Sequence, residues 1–168
     1  GIVAGVVQPG AVVENCGVIN STINVSGHIG AAVAGGNYGG TIRYCYTFNN
    51  TVNAHGRAGY LVGDNTNDAN SLIGTITDCI SDNKIEGTTS DAHKGTVTNC
   101  TANSTLKLDD GSLAYAMYER NTAWRQEIGV DAYPRPNVNG PRVYMAQCVS
   151  NKYSNNSNFL FNSKSELN

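Results

Sequence analysis

The stretch GTIRYC, Gly40–Cys45, returns as GTITDC at Gly74–Cys79 and as GTVTNC at Gly95–Cys100, and in looser form as GAVVENC at Gly10–Cys16. Internal repetition decides an architecture before any other signal. Anchored on Cys16, Cys45, Cys79 and Cys100, the units are of unequal length, the interval from Cys45 to Cys79 being the longest and that from Cys79 to Cys100 the shortest. Three positions before each cysteine stands Val13, Ile42, Ile76 or Val97, and downstream comes a second apolar anchor, Ile23, Val52, Ile85 or Leu106. Each unit closes on glycine, at Gly27, Gly56, Gly87 and Gly111.

Upstream of the first three cysteines lie the apolar runs IVAGVV (Ile2–Val7), IGAAVAGG (Ile29–Gly36) and AGYLVG (Ala58–Gly63). A full unit therefore reads as three short strands separated by turns. Such units are too short, and too poor in helix formers, for helical hairpin repeats. β-Branched pairs between glycine corners instead predict an all-β fold, a parallel β-helix of about four coils over residues 1–111.

Strict alternation along a strand would put Ile42 and Cys45 on opposite faces. The residue before the cysteine resolves this, since Asn15, Asp78 and Asn99 tolerate a left-handed backbone that bends the chain and turns both neighbours inward. Tyr44 departs from that pattern. Four residues after each cysteine come Asn20, Asn49 and Asn83, with Ser104 in the last unit, an arrangement that predicts amides bonded to one another about 4.8 Å apart along the stack. Glycine is read as the corner and cysteine as the filler of a narrow interior.

The five cysteines match no zinc spacing. Free cysteine packs as a small hydrophobe, so Cys16, Cys45, Cys79 and Cys100 are expected as a buried, reduced row. Their Cα atoms would lie within disulfide range, but in-register side chains run parallel and would have to rotate to bond.

Hydrophobic residues make up 40% of the 168 and charged residues 14%, with a net charge of -2 and 19 glycines. That balance provides no basic face for nucleic acid. It is also unlike a disordered segment. No apolar run approaches the roughly 20 residues of a membrane span, and Gly1–Val7 lacks the basic flank of a signal peptide. Starting at glycine without an initiator Met, the chain reads as a mature or excised part of something larger.

After Gly111 the composition changes. Ser112–Glu119 (SLAYAMYE) has helical spacing at Leu113, Ala116 and Met117, with Ser112 at the N-cap position. Trp124, the sole tryptophan, and the segment DAYPRPNVNGPRVY follow. An atypical terminal segment commonly covers the open end of a repeat array. Residues 112–144 are thus expected as a cap over the apolar row ending at Cys100 and Leu106, with Trp124 in the seal and no ligand. Residues 145–168 are expected as a partly mobile tail.

Units of the form G-x-[IV]-x-[ND]-C-Y, followed by a strand and glycine, resemble the GLUG-type repeats of large bacterial surface proteins. The block from Gly111 is similar to a module that follows such repeats in surface proteins of gut Bacteroides-like bacteria, matching it at Gly111, Ala114, Tyr115, Met117, Trp124, Gln126, Ile128, Gly129, Asp131, Tyr133 and Pro134. The resemblance covers roughly Gly1–Tyr144. It implies a β-helix, export to the cell surface and an adhesin-like, carbohydrate-associated setting, and it carries over no catalytic residue.

The alternative reading is a β-helical polysaccharide lyase or hydrolase, or its substrate-binding fragment, which needs paired carboxylates or a cation site at a cleft. The candidate acids Asp64, Asp68, Asp78, Asp82 and Asp91 fall in turns or loops without the spacing that would pair them. Asp64, Asn65, Asn67, Asp68 and Asn70 offer oxygen ligands for calcium, but Ala69 occupies the sixth position, where an EF-hand has glycine; a solvated loop is the expectation. His28, His55 and His93 are read as surface residues without metal spacing, and no cofactor is implied. For binding, Tyr38, Tyr44, Tyr46 and Tyr60 with Arg43 and Arg57 are the candidates, whose aromatic faces suit a sugar. They could equally pack the corners. The expected function is a noncatalytic, exported adhesin-like binding or spacer segment, with a host or dietary glycan or a surface protein as partner.

Overall fold

Short parallel strands recur along the first part of the chain. They are β1 (Ala4–Val7), β2 (Val12–Glu14), β3 (Gly17–Ile19) and β4 (Thr22–Asn24), then β5 (Ile29–Gly30), β6 (Ala34–Tyr38), β7 (Thr41–Arg43), β8 (Tyr46–Phe48) and β9 (Thr51–Asn53). A third set follows as β10 (Arg57–Ala58), β11 (Val62–Thr66), β12 (Thr75–Thr77) and β13 (Ile80–Ser81), and then β14 (Thr96–Thr98). The structure is a computed structural model describing residues 1–66, 72–87, 94–148 and 157–167. Asn67, Asp68, Ala69, Asn70, Asp91 and His93 lie outside the described residues.

Each strand pairs in parallel with its counterpart one repeat later, giving the orders β14-β12-β7-β2, β13-β8-β3, β1-β6-β11, β4-β9 and β10-β5. Val13, Ile42, Ile76 and Val97 are successive partners, so the anchors three before each cysteine mark the observed register. The second repeat contains five strands, β5–β9, where three were expected. Left-handed residues cut the expected runs, Tyr44 lying between β7 and β8 and Asn49 between β8 and β9.

Asn15, Asp78 and Asn99 have φ of 54°, 55° and 50°, and Tyr44 matches them at 54°. Left-handed backbone costs an ordinary residue about 1–2 kcal/mol. The Arg43 guanidinium lies 5.4 Å from the centre of the Tyr44 ring, a cation–π contact at that corner. Asn20 and Asn49 form a second left-handed corner at 51° and 56°. Among the described residues, however, the amide-to-amide bonds lie elsewhere. Asn53 Nδ2 donates to Asn24 Oδ1 at 2.8 Å, and Asn37 Nδ2 donates to Asn65 Oδ1 at 3.0 Å in the interior. Asn83 instead accepts the Lys84 N–H on its own Oδ1 at 2.9 Å. The chain leaves the pattern there: Leu61 N–H donates to the Ile85 carbonyl at 3.0 Å, as Val33 N–H does to the Leu61 carbonyl at 3.1 Å. Ile85 is thus the successor of Val33 and Leu61 and not of Val52, which corrects the expected alignment.

Repeated glycine has a different cause from the one expected. Gly40, Gly74 and Gly95 are not left-handed; Gly39 takes that corner at φ 90°. A Cβ on Gly95 would overlap the Gly74 carbonyl oxygen, and one on Gly74 would lie 2.6 Å from that of Asn37. The first repeat has Ala11 at the equivalent place, where it is exposed. Close approach of neighbouring backbones therefore selects glycine.

The four repeat cysteines are free, Cys45 and Cys79 fully buried and Cys16 and Cys100 partly so. Each thiol donates to the carbonyl two residues back, at 3.2 Å from Glu14, Arg43, Thr77 and Thr98. Sulfur also accepts: Cys45 N–H reaches Cys79 Sγ and Cys79 N–H reaches Cys100 Sγ, both at 3.4 Å. The bend before each cysteine interrupts the backbone ladder, and the next thiol replaces the missing acceptor. Burial, with the neighbouring thiols, pushes Cys79 above the ordinary thiol range. Its stabilising contribution is therefore present below the unfolded pKa and lost as pH rises through the raised folded value. Cys79→Ala is expected to destabilise the chain by about 1–3 kcal/mol, the cost of a buried donor left unsatisfied. Urea melts would show it, and an unchanged midpoint would reduce the thiol to a filler.

Gly1–Thr105 and Leu106–Asn168 are separate compact units. The boundary precedes Gly111 because Lys107 and Leu108 are already tied to the second unit. Lys107 N–H donates to Ser112 Oγ at 2.9 Å, and Gln126 Nε2 donates to the Leu108 carbonyl at 2.6 Å. In this unit α1 spans Ser112–Arg120, β15 (Trp124–Arg125) pairs antiparallel with β16 (Arg135–Pro136), and β17 (Tyr144–Cys148) with β18 (Ser157–Phe161). Two expectations are corrected. The N-cap is Gly111 and not Ser112, and the buried face is Leu113, Ala114 and Met117, with Ala116 only half-buried. Residues 144–148 and 157–161 form a hairpin where a tail was expected, followed by a 3-10 turn at Lys164–Leu167.

Trp124 is buried, and the polar residues of its motif hold the turn that follows. Gln126, fully buried, also donates to the Asp131 carbonyl at 3.1 Å, while Asp131 Oδ2 accepts the Glu127 N–H at 2.8 Å. Gly129 supplies the left-handed residue at φ 84°. No described helix is long and apolar enough to cross a membrane.

Candidate functional site

The side chains expected to bind a ligand do not form one surface. Tyr46 is buried, its ring edge-on to Phe48 at 6.2 Å and lying where a Cβ on Gly17 would be, so it is a packing residue. Arg43 and Tyr44 stand at a half-buried corner, with Arg43 Nε 2.7 Å from Glu14 Oε2. Tyr60 is partly buried and donates its backbone N–H to the Lys84 carbonyl at 3.2 Å.

Tyr38 and Arg57 are brought together, through Asp64. Arg57 Nη1 lies 2.5 Å from Asp64 Oδ2, whose side chain is only 6% exposed. Burial first, and then the Asp64 charge, raise the Tyr38 hydroxyl above the usual phenol range. Asp64 is thus neutralised on the sheet face. Asp64 and Asn65 belong to β11 and not to a loop, because Asp64 pairs with Gly36 and Asn65 with Asn37. This removes both from the expected loop. Asp78 accepts from Thr77 Oγ1 at 2.8 Å and from Asn99 Nδ2, and Asp82 Oδ2 accepts the Asn49 N–H at 2.6 Å. Those acids stabilise corners.

A concavity among the described residues lies where β4 and β9 turn toward β5 and β10. A groove of about 620 Å³ is lined by Asn24, Val25, Ser26, Val52, Asn53 and His55 among others, and His28, Ile29, Gly56 and Arg57 line a second space of about 420 Å³. Because Ile29 pairs with Arg57, the register places His28 beside Gly56 and His55 beside Gly27. A Cβ on Gly56 would lie 3.1 Å from His28 Nδ1. Among the described residues neither imidazole, the Ser26 hydroxyl, nor Asn24 Nδ2 has a hydrogen-bond partner. Val25 and Val52 give the groove an apolar lining between these groups. The arrangement offers donors and acceptors at close intervals over small hydrocarbon patches, which suits a polyhydroxylated ligand.

The sequence presents His28 and His55 singly, as surface residues. The signal that joins them is the repeat itself, since one repeat relates Ile29 to Arg57. No sequence pattern marks Glu86; it bridges to Val62 and lies 3.3 Å from Lys94 Nζ, with Oε2 buried and without a partner. Comparison with known protein families, with curated proteins and with solved structures finds no match for this chain.

Proposed function

We propose that the first unit is a parallel β-helix of about four coils and serves as a noncatalytic, exported, ligand-displaying segment of a surface protein. The groove over Asn24, Asn53 and His55 would take a neutral glycan. The observation that carries this reading is the in-register column of Val13, Ile42, Ile76 and Val97, which continues through every repeat. The interior asparagines Asn37 and Asn65 bond to each other between repeats, whereas among the described residues the His55 imidazole and the Ser26 hydroxyl of the groove make no hydrogen bond within the chain. The resemblance to GLUG-type repeats and their following module supports the same setting, with the second unit as the segment that ends the array.

The test is a glycan array probed with the whole chain, followed by titration of the oligosaccharides that bind. Asn53→Ala combined with His55→Ala is expected to weaken binding at least tenfold, because two polar contacts of roughly 1 kcal/mol each are lost. Unaltered affinity would place the ligand elsewhere. Cleavage of a polysaccharide by the chain would overturn the noncatalytic reading in favour of a β-helical lyase or hydrolase.

A further inference from the structure

In the second unit Arg125 and Arg142 have no carboxylate partner among the described residues. Arg125 is 6% exposed. Its Nη1 donates to the Trp124 carbonyl at 2.9 Å and to that of Thr122, while Nε is buried without a partner. Arg125 Cζ lies 4.7 Å from the centre of the Tyr118 ring, and Arg142 Cζ lies 5.7 Å from the same centre. Directly across the β15–β16 pair stands Arg135. The Arg135 guanidinium has a carboxylate, Asp131 Oδ1 at 3.5 Å. Among the described residues no carboxylate lies within ion-pair distance of Arg125 or Arg142.

Arginine does not shed its proton in a protein. A buried charge without a counter-charge is costly, and like charges facing each other across a strand pair add to the cost. The Tyr118 ring face offsets only part of that. Two carbonyls occupy Nη1, and Nε, though buried, makes no hydrogen bond among the described residues. Arg142, on the segment leading into β17, is exposed and has no other partner among the described residues.

We infer that Arg125 and Arg142, gathered on Tyr118, form a binding site for an oxyanion, a sulfate or a carboxylate group. Guanidinium forks match both groups with paired hydrogen bonds. The site lies wholly in Leu106–Asn168 and needs no glycan in the groove of the first unit, so each reading can fail without the other.

The experiment is a thermal melt of the full chain in sodium sulfate, in sodium glucuronate and in glucose, each at ionic strength matched with sodium chloride. Sulfate, glucuronate or both are expected to raise Tm by about 2 °C or more above the chloride control, as a ligand that binds only the folded state must. A response to sulfate alone assigns a sulfate ester as the natural group, and a response to glucuronate alone assigns a carboxylate. Arg142→Gln should keep the basal Tm and weaken the anion's apparent affinity roughly tenfold, and Arg142→Lys should weaken it less. Three results would overturn the inference. They are a sulfate and glucuronate response no larger than chloride, an equal response in Arg142→Gln, and a glucuronate response matched by glucose where sulfate gives none. If Arg142→Gln lowers the basal Tm, the Arg142→Lys titration decides, and unchanged affinity there also rejects the site.

Discussion

Gly63→Ala is expected to abolish cooperative folding or to cost more than about 4 kcal/mol, at the extreme of single-substitution effects. Gly5→Ala, in the same glycine row, should be neutral or slightly stabilising. A Cβ on Gly63 would lie 2.7 Å from the Gly35 carbonyl oxygen, 2.7 Å from Ile29 Cγ2 and 2.9 Å from the Gly30 carbonyl oxygen. Two of those three atoms are backbone held in the parallel ladders, so they cannot withdraw without separating β11 from β6. Gly5 has nothing within 4 Å of the same position. Alanine there restricts the unfolded chain, an effect of about 0.4–1 kcal/mol in favour of folding. Circular dichroism melts of the two variants give the contrast directly. Comparable melting of both would mean that neighbouring repeats are not held at this spacing.

Asn65→Val should cost about 2–5 kcal/mol, a range set by leaving buried polar groups unpaired. Asn65 is fully buried; its Oδ1 accepts from Asn37 Nδ2, and its Nδ2 donates to the Thr96 carbonyl at 3.4 Å. Valine would remove both bonds at once. Asn37 would keep only its contact with the Thr75 carbonyl, at 3.2 Å. The register already contains an apolar counterpart, because Val7 pairs with Asn37, and Asn37 Oδ1 is buried there without a partner. Asn37→Val on top of Asn65→Val should accordingly cost less than Asn37→Val alone. The coupling measured in a double-mutant cycle should reach about 0.5–3 kcal/mol. Strict additivity would show that the amide pair is incidental. Val7→Asn offers the converse trial, giving the orphan oxygen a donor.

The repeat was legible because its period was written in residues that tolerate little else. Val13, Ile42 and Ile76 lie in one column because each packs in the apolar core, with Val97 continuing the column at an exposed position, and Asn15, Asp78 and Asn99 because each must bend. Tyr44 could not be read this way, since its left-handed backbone is imposed by neighbours on both sides and its own side chain does not favour it. Ile85 misled for a related reason. Hydrophobicity alone does not distinguish a successor of Val52 from a successor of Leu61, and the backbone pairing of Leu61 with Ile85 decides between them. Cysteine was recognised as small and apolar, but its use as donor and acceptor depends on a gap in the ladder that exists only once the corner is folded.

The candidate site was less legible still. Tyr46 looked available as an aromatic, yet the missing side chain of Gly17 makes room for its ring across the repeat. His28 and His55 carry no local pattern, and only the register places each of them beside a glycine of the neighbouring repeat. Arg125 and Arg142 are far apart in sequence and meet through a helix residue, Tyr118. Such convergence has no period for the eye to follow.

The unequal spacing of the column bears on how the chain reaches this state. Ile42 pairs back to Val13, Ile76 back to Ile42 across the longest interval, and Val97 back to Ile76 across the shortest. The entropy of closing a loop grows only as the logarithm of its length, so the longest and shortest of these closures differ by about 0.4 kcal/mol. Modest lengthening of a connection is therefore nearly free, and adding another repeat requires no closure longer than those already present. Search time need not grow steeply with the number of repeats, because each new one is templated by the strand edges just completed.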